Sequence, residues 1–340
     1  MIKAFKYLLL TVSSGVFLVL FVIFQGPQHL FAGITGTWGR FPGETELKDP
    51  VENCGGADAC QSGPLRVLTF NILCRVCTES DRKPGYETWY VRLPYLREII
   101  RGYDPDLIGF QETGGVQDLD ELNPDPERFA WIAFEMGGVV YGDAALMYRR
   151  DKFDALDSGQ FWLNPRPRVP YGFGWKPLSM PRYVNWVRLR NRENQFEFLF
   201  VNTHFDNNTP NKEPSAPFFN EVMRIPALHL PLVITGDFNT PGDTQRYQNL
   251  IGSDFADHKL LQTAELAEIR ELIPPGYPEE PPTAIPPDSY RGQIDHILLG
   301  GPGTWTVTRW TVDTRAGGAQ HQVKPSDHPA VFAELQCSLR

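Results

Sequence analysis

The stretch VITGDFNTPGD, from Val233 to Asp243, ends a short apolar run on an Asp and an Asn two positions apart, then breaks into Pro and Gly. In an extended chain, residues i and i+2 project to the same side, roughly 6–7 Å apart. Asp237 and Asn239 would then face one place together, with Phe238 turned the other way into a core. A polar turn after a strand is the competing reading, because Asp, Asn, Pro and Gly are common turn residues. The rest of the chain decides between them.

The same pattern recurs. Arg66–Leu73 (RVLTFNIL) alternates, is rich in β-formers and carries Asn71 near its end. Asp106–Gln111 (DLIGFQ) is a short apolar strand closed by Glu112. Ala144–Tyr148 and Tyr183–Leu189 continue the β pattern, and Phe196–Val201 (FEFLFV) runs into Asn202-Thr203-His204. Leu232–Thr235 runs into Asp237 and Asn239, Ile294–Leu299 carries Asp295 at its start, and Pro329–Leu335 follows Asp327-His328. Between the first two strands, Trp89, Leu93, Leu96 and Ile100 recur at helical spacing, and Pro94 places the start of the regular helix near itself. One polar strand end is a turn; six of them, if the strands share a sheet, converge on one rim. Acidic and amide oxygens there suit a hard divalent cation. Two histidines and an Asp suit proton transfer and charge stabilisation at a reacting phosphate.

Composition narrows the class. The chain has 340 residues, of which 41% are hydrophobic, enough for a sizeable core and too many for a disordered chain. The net charge of -9 lacks the basic balance of a protein built on broad nucleic-acid affinity, though it permits a metal-dependent nuclease. Tyr7–Phe24 is an uncharged apolar segment of 18 residues preceded by Lys3 and Lys6. Its length fits a minimal bilayer span, and the lysines send the remainder across the membrane. Residues 1–25 are read as an uncleaved signal-anchor, with a cleaved signal peptide as the rival that would give a secreted protein. Residues 26–64 read as a Gly/Pro-rich tether without hydrophobic periodicity, leaving 65–340 as the catalytic domain.

Of the five cysteines, Cys54 with Cys60 and Cys74 with Cys77 would make local bridges, although sequence does not fix pairing. The irregular spacing disfavours a zinc site. No P-loop and no Ser or Cys nucleophile motif is present. The sequon at Asn207 is followed by Pro210 and is read as chance.

Taken in order, TFNIL, GFQET, NTHFD, GDFN, QIDHI and SDHPA resemble the endonuclease/exonuclease/phosphatase superfamily over about residues 65–336. FWLNPRP (161–167), GWKPLSMPRYVNWVRL (174–189) and NTHFDN (202–207) resemble, within it, a bacterial-type group of secreted metal-dependent hydrolases. The resemblance implies an α/β fold, a deoxyribonuclease-like two-layer β-sandwich of mixed sheets flanked by helices. It implies Mg²⁺, with Mn²⁺ as an alternative, held by Glu112, Asn71 and Asp327. It implies that Asp237 orients or deprotonates the attacking water and that Asn239 hydrogen-bonds the scissile phosphate. His204 would donate to a phosphate oxygen or assist the leaving group. His328 would act as base or stabilise the transition state, with Asp295 fixing its tautomer.

Each residue also has a structural reading. Asn71 could be a strand-end cap, Glu112 a solvated end residue, His204 a satisfied buried histidine and Asp295 an arginine partner. Asp206 is read as closing the following turn. Trp162, Trp175 and Trp186 are read as core or pocket wall, and Tyr148 as core.

The expected protein is a membrane-tethered, extracytoplasmic phosphoesterase whose substrate is a phosphate ester, with a membrane lipid among the candidates and no protein partner. A nuclease and a non-catalytic ectodomain that keeps the fold are the alternatives. The Pro-rich stretch at 274–287 is expected to reshape the rim where the non-phosphate part of the substrate sits.

Overall fold

Strand pairs with apolar side chains on both faces need cover on both faces, and Phe198-Leu199-Phe200-Val201 is such a segment. Phe198 and Phe200 enter a core shared by two sheets, while Leu199 and Val201 enter a second core under helices. The computed structural model describes residues 16, 32–45, 60–79, 83–136, 139–170, 172, 174–176, 180–252, 258–286, 292–317 and 323–339. The apolar segment Tyr7–Phe24, apart from Val16, lies outside them, as does Cys54. No helix among the described residues is long and apolar enough to cross a membrane.

In chain order the strands are β1 (Cys60–Gln61), β2 (Leu65–Asn71), β3 (Leu107–Gln111), β4 (Phe129–Met136), β5 (Val139–Arg149), β6 (Phe153–Trp162), β7 (Tyr183–Asn191) and β8 (Glu197–His204). They continue as β9 (Leu232–Asp237), β10 (Leu261–Gln262), β11 (Ala267–Ile273), β12 (Thr283–Ala284), β13 (Asp295–Gly300), β14 (Thr304–Asp313) and β15 (Ala330–Leu339). The helices are α1 (Arg75–Glu79), α2 (Trp89–Tyr103), α3 (Val116–Leu122), α4 (Thr209–Ala227), α5 (Gln245–Ile251) and α6 (Thr263–Leu266). One mixed sheet runs β12-β11-β14-β15-β2-β3-β5-β4, with β1 pairing β15, and the other runs β10-β13-β9-β8-β7-β6. Val67, Leu107, Val233, Ile297 and Val331 pack between the sheets. Leu96, Ile100 and Leu119 cover Leu68, Phe70 and Ile108 on one outer face, and Phe219, Met223 and Leu250 cover Leu199 and Ile234 on the other. The expected two-layer sandwich of mixed sheets flanked by helices is the fold observed.

The sheets also meet at a buried polar seam just below the rim. Gln111 Nε2 donates to Asn202 Oδ1 at 2.8 Å, Thr235 Oγ1 donates to the same oxygen at 3.0 Å, and Asn202 Nδ2 donates to Phe110 O and Ala145 O at 2.8 Å each. Such a network fixes the relative position of the two sheets.

Three local expectations change. Helix α2 starts at Trp89 and contains Pro94. The missing Pro94 N–H leaves the Tyr90 carbonyl without its helix partner, but Tyr90 is 60% exposed and water is at hand. Strands β4, β6, β11 and β14 were not expected at all. Part of the expected tether is docked: Gly39 and Arg40 N–H donate to Arg168 O and Gln160 O, both at 2.7 Å, and Trp186 Nε1 donates to Arg40 O at 2.9 Å. Trp162, Trp186 and Tyr148 are buried, and Trp175 lies edge-on to Phe218, as wall and core residues.

Candidate active site

Sheet register brings three chemical groups to one level. On β9, Asp237 is the register partner of His204 on parallel β8 and of Asp295 on antiparallel β13. Asn71 ends β2 in the other sheet, and Glu112 follows β3. All but Glu112 are buried.

Asp237 Oδ2 is the point of convergence. Asn71 Nδ2 lies 3.1 Å from it, His204 Nε2 3.4 Å and His328 Nε2 3.8 Å. Asn71 Nδ2 is also 3.2 Å from Glu112 Oε1, so one amide bridges carboxylates from both sheets. Glu112 Oε2 accepts from the Cys74 N–H at 3.1 Å, and Glu112 itself takes a left-handed φ of 65°.

Asn239 reaches the site differently from the extended-chain expectation. The strand stops at Asp237, Asn239 adopts φ 47°, and its N–H donates to Asp237 Oδ1 at 2.8 Å. The pair is held together by a turn wrapped on the Asp237 side chain, with Asn239 Nδ2 donating to Phe205 O at 2.9 Å. Phe238 points into the core against Phe205 and Phe219. The stretch is therefore a turn, and the turn rather than a shared strand face brings Asn239 onto Asp237.

His328 Nδ1 lies 2.8 Å from Asp295 Oδ2. Burial pulls the imidazolium down, but that hydrogen bond and the charges of Asp295, Asp237 and Asp327 outweigh it and raise the pKa to about 9. Burial and the Asp237 charge push Asp295 up, against the pull of His328. His204 has its own carboxylate: Nδ1 is 2.8 Å from Asp143 Oδ1 and 2.9 Å from Arg182 Nη1, and Arg182 also pairs with Asp143. Burial opposes ionisation of Asp143, yet Arg182 and His204 hold its carboxyl well below the usual range. Asp143 and Arg182 were missed from sequence. Asp327 is turned aside: its carboxylate pairs with Lys83. Asp206 closes the turn into α4, accepting from Asn208 N–H at 3.1 Å and Asn211 Nδ2 at 2.7 Å.

The donor set fits a hard divalent cation. Glu112 faces the site with no lysine or arginine paired to it among the described residues. Asp295 Oδ1 is buried with no hydrogen-bond partner, a further unused acceptor at the site. Cys74 and Cys77 are joined in a disulfide, which removes them as zinc ligands.

The two-sheet sandwich, with carboxylates and carboxylate-bound histidines at one rim, can now be set beside known proteins. The chain belongs to the endonuclease/exonuclease/phosphatase family, whose model matches residues 68–328. Members of this family hydrolyse phosphoester bonds and generally depend on a divalent metal.

An endonuclease/exonuclease/phosphatase family protein from Bacteroides thetaiotaomicron superposes with a TM-score of 0.66 at 26% identity, over 82% of this chain and 96% of its own. A mannosyl-6-phosphatase from the same species gives a TM-score of 0.64 at 26% identity, over 80% and 99%. Protein angel of Drosophila melanogaster is 24% identical over 223 residues, 58% of this chain and 59% of that protein's length.

Proposed function

We propose that the chain is a Mg²⁺-dependent phosphodiesterase or phosphatase acting outside the cytoplasm by attack of water on a phosphate ester. The observation that carries this reading is the convergence of Asn71, His204 and His328 on Asp237 Oδ2 at 3.1–3.8 Å. Glu112 and Asn71 would hold the metal, with Asp327 reachable once released from Lys83. When bound, Mg²⁺ neutralises phosphate charge and steadies the leaving oxygen.

The chain's own residues do the rest. Asp237 Oδ2 accepts a proton from the attacking water, at the oxygen not taken by the Asn239 N–H. His328, raised to about 9, is protonated at neutral pH, so its Nε2–H stabilises negative charge on the phosphate; it is an electrostatic donor before it is a base. His204, oriented by Asp143 and Arg182, faces the same space from β8, the strand beside Asp237. Asn239, held against Asp237 by its turn, would hydrogen-bond the scissile phosphate.

Action outside the cytoplasm is supported by the Cys74–Cys77 disulfide and by Lys3 and Lys6 ahead of the apolar segment. The test is hydrolysis by the full chain, with and without Mg²⁺, of plasmid DNA, phosphodiester lipid vesicles and inositol phosphates. Turnover that needs metal and disappears in Asp237→Ala is expected. Preferential cleavage of plasmid DNA would move the reading to a nuclease, and metal-independent turnover would end it.

A further inference from the structure

The chain enters the fold at the catalytic end. Residues 39–45 run alongside β6, the outer strand of the second sheet, in the opposite direction to it. Gly39 N–H donates to Arg168 O in the connection after β6 and Arg40 N–H donates to Gln160 O, both at 2.7 Å, while Thr45 Oγ1 donates to Asp157 Oδ2 at 3.0 Å. Phe41 lies edge-on to Phe161 at 5.3 Å, and Arg40 pairs with Asp157 at 3.0 Å. Register places the start of this strap. Trp162, the last residue of β6, pairs with Tyr183, next to the Val184–Thr203 pair, and His204, Asp237 and Asp295 continue the same level. Gly39 therefore sits beside the rim that carries the site, and Thr45 sits further from it.

We propose that this rim is a membrane-docking face, turned toward a lipid bilayer by the strap, and that the site acts on phosphate esters carried by lipids of that bilayer. The inference rests on the phosphoester-hydrolase reading above and adds its partner and substrate class.

Chain path carries the first step. The uncharged apolar segment ends at Phe24. From there to Gly39 the chain spans at most about 50 Å when fully extended. The rim is nearer to that segment than the opposite end of the sheets is, by about the length of β6, ten residues or roughly 33 Å. With Tyr7–Phe24 in a bilayer and the strap docked, the catalytic end is the one that meets lipid.

Surface chemistry carries the second step. Ile34 and Trp38 precede the strap, and Met180 lies two residues before Arg182. Val139 opens β5 ahead of Asp143, Val116 opens α3 after Glu112, and Val76 lies on α1, two residues past Cys74. All six are 39–75% exposed. Exposed apolar side chains gathered at one end of a domain mark a face that meets lipid or another protein. The apolar segment of the same chain leads to this end, which selects lipid. Tryptophan is favoured at the membrane–water boundary, and such a face binds more tightly the more apolar area it buries. Ile225 and Leu228, equally exposed, lie at the end of α4 away from the rim and form the rival face.

The test places the full chain, with Mg²⁺, in vesicles of phosphatidylcholine brominated on its acyl chains. Trp38 is the exposed tryptophan among the described residues. Bromine is expected to quench the fluorescence of the parent, and Trp38→Phe to remove most of that quenching. Val139→Asp with Met180→Asp is expected to release the quenching and to lower kcat/KM on a phosphodiester lipid in the same vesicles about tenfold. Hydrolysis of soluble bis-p-nitrophenyl phosphate by that pair should match the parent. Ile225→Asp with Leu228→Asp should change none of these.

No quenching in the parent, release by the Ile225 and Leu228 pair instead, or lipid turnover indifferent to the Val139 and Met180 pair overturns the docking face. Metal-dependent hydrolysis of the soluble ester in that event leaves the phosphoesterase reading standing. Hydrolysis of the soluble ester with no turnover of lipid overturns the lipid as substrate. Quenching with silence on both esters supports the docking face and overturns the phosphoesterase reading together with the lipid substrate.

Discussion

His328 Nδ1 sits 2.8 Å from Asp295 Oδ2, joining the turn before β15 in one sheet to the first residue of β13 in the other. The pair holds the imidazolium ring in place and keeps it charged. Asp295→Asn preserves shape and removes the charge. It should lower kcat on the turned-over ester by about 10²–10⁴-fold while the circular dichroism spectrum stays that of the parent. A variant with parental kcat would show that Asp295 has no part in orienting His328.

The Cys74–Cys77 disulfide lies against Glu112, the proposed metal ligand, whose Oε2 accepts from the Cys74 N–H at 3.1 Å. Partners that orient a ligand typically change metal affinity by about 10–100-fold when lost. Replacing both cysteines by serine should therefore weaken Mg²⁺ binding about tenfold, read as a shifted midpoint in a thermal-shift titration. Glu112→Gln should remove the Mg²⁺-dependent rise altogether. If the serine pair titrates like the parent, the disulfide serves stability alone.

Much of this site is legible in the sequence because strand ends announce it. Asn71, Glu112, His204, Asp237 and Asp295 each interrupt an apolar run at its end, and parallel and antiparallel pairing put those ends on one rim. Asp143 escaped because it lies inside β5, in a segment whose strand was expected only from Ala144. Arg182 escaped because it precedes β7 in an irregular stretch, where no periodicity marks it. Strand β14 alternates visibly in TWTVTRWTVD and, like the rim strands, ends on a carboxylate, but Asp313 is spent on Tyr103 and Arg315. Asp327 shows the converse: its motif position was clear, but its ion pair with Lys83 depends on a contact across 244 residues. The turn at Asn239 was assigned a pleated geometry because the i, i+2 rule holds only while the strand lasts.

Gly109 shows how tightly the polar seam closes. A Cβ there would lie 2.5 Å from Asn202 Oδ1 and 2.7 Å from Thr235 Cβ, and closer still to Thr235 Oγ1. Neither neighbour can yield, since Asn202 is locked by four hydrogen bonds and Thr235 is β-branched. Gly109→Ala should cost about 3 kcal/mol, the upper part of the range for overpacked cores, and show as a fall of the urea midpoint. A midpoint within error of the parent would mean that the sheets separate easily, against the seam.

His296 provides a pH test beneath the site. Its Nε2 lies 2.8 Å from Thr240 O, and its Nδ1 2.7 Å from Gln262 Nε2. The arrangement suits a neutral ring that donates from Nε2 and accepts at Nδ1, and it pins the turn that follows Asn239. Burial lowers the pKa from 6.5 to about 4, despite the raising effects of the Thr240 carbonyl and Asp237. Between those values the unfolded chain binds a proton that the folded chain refuses, so stability rises with pH through this window. The contribution is present above pH 6.5 and is lost as pH falls toward 4. At about 1.4 kcal/mol per unit, it amounts to roughly 2–3 kcal/mol between pH 7.5 and 4.5. His296→Gln keeps a donor and an acceptor but does not titrate. Urea unfolding at the two pH values should show the parent losing that much more stability than the variant, and equal losses would place the histidine's titration outside the window.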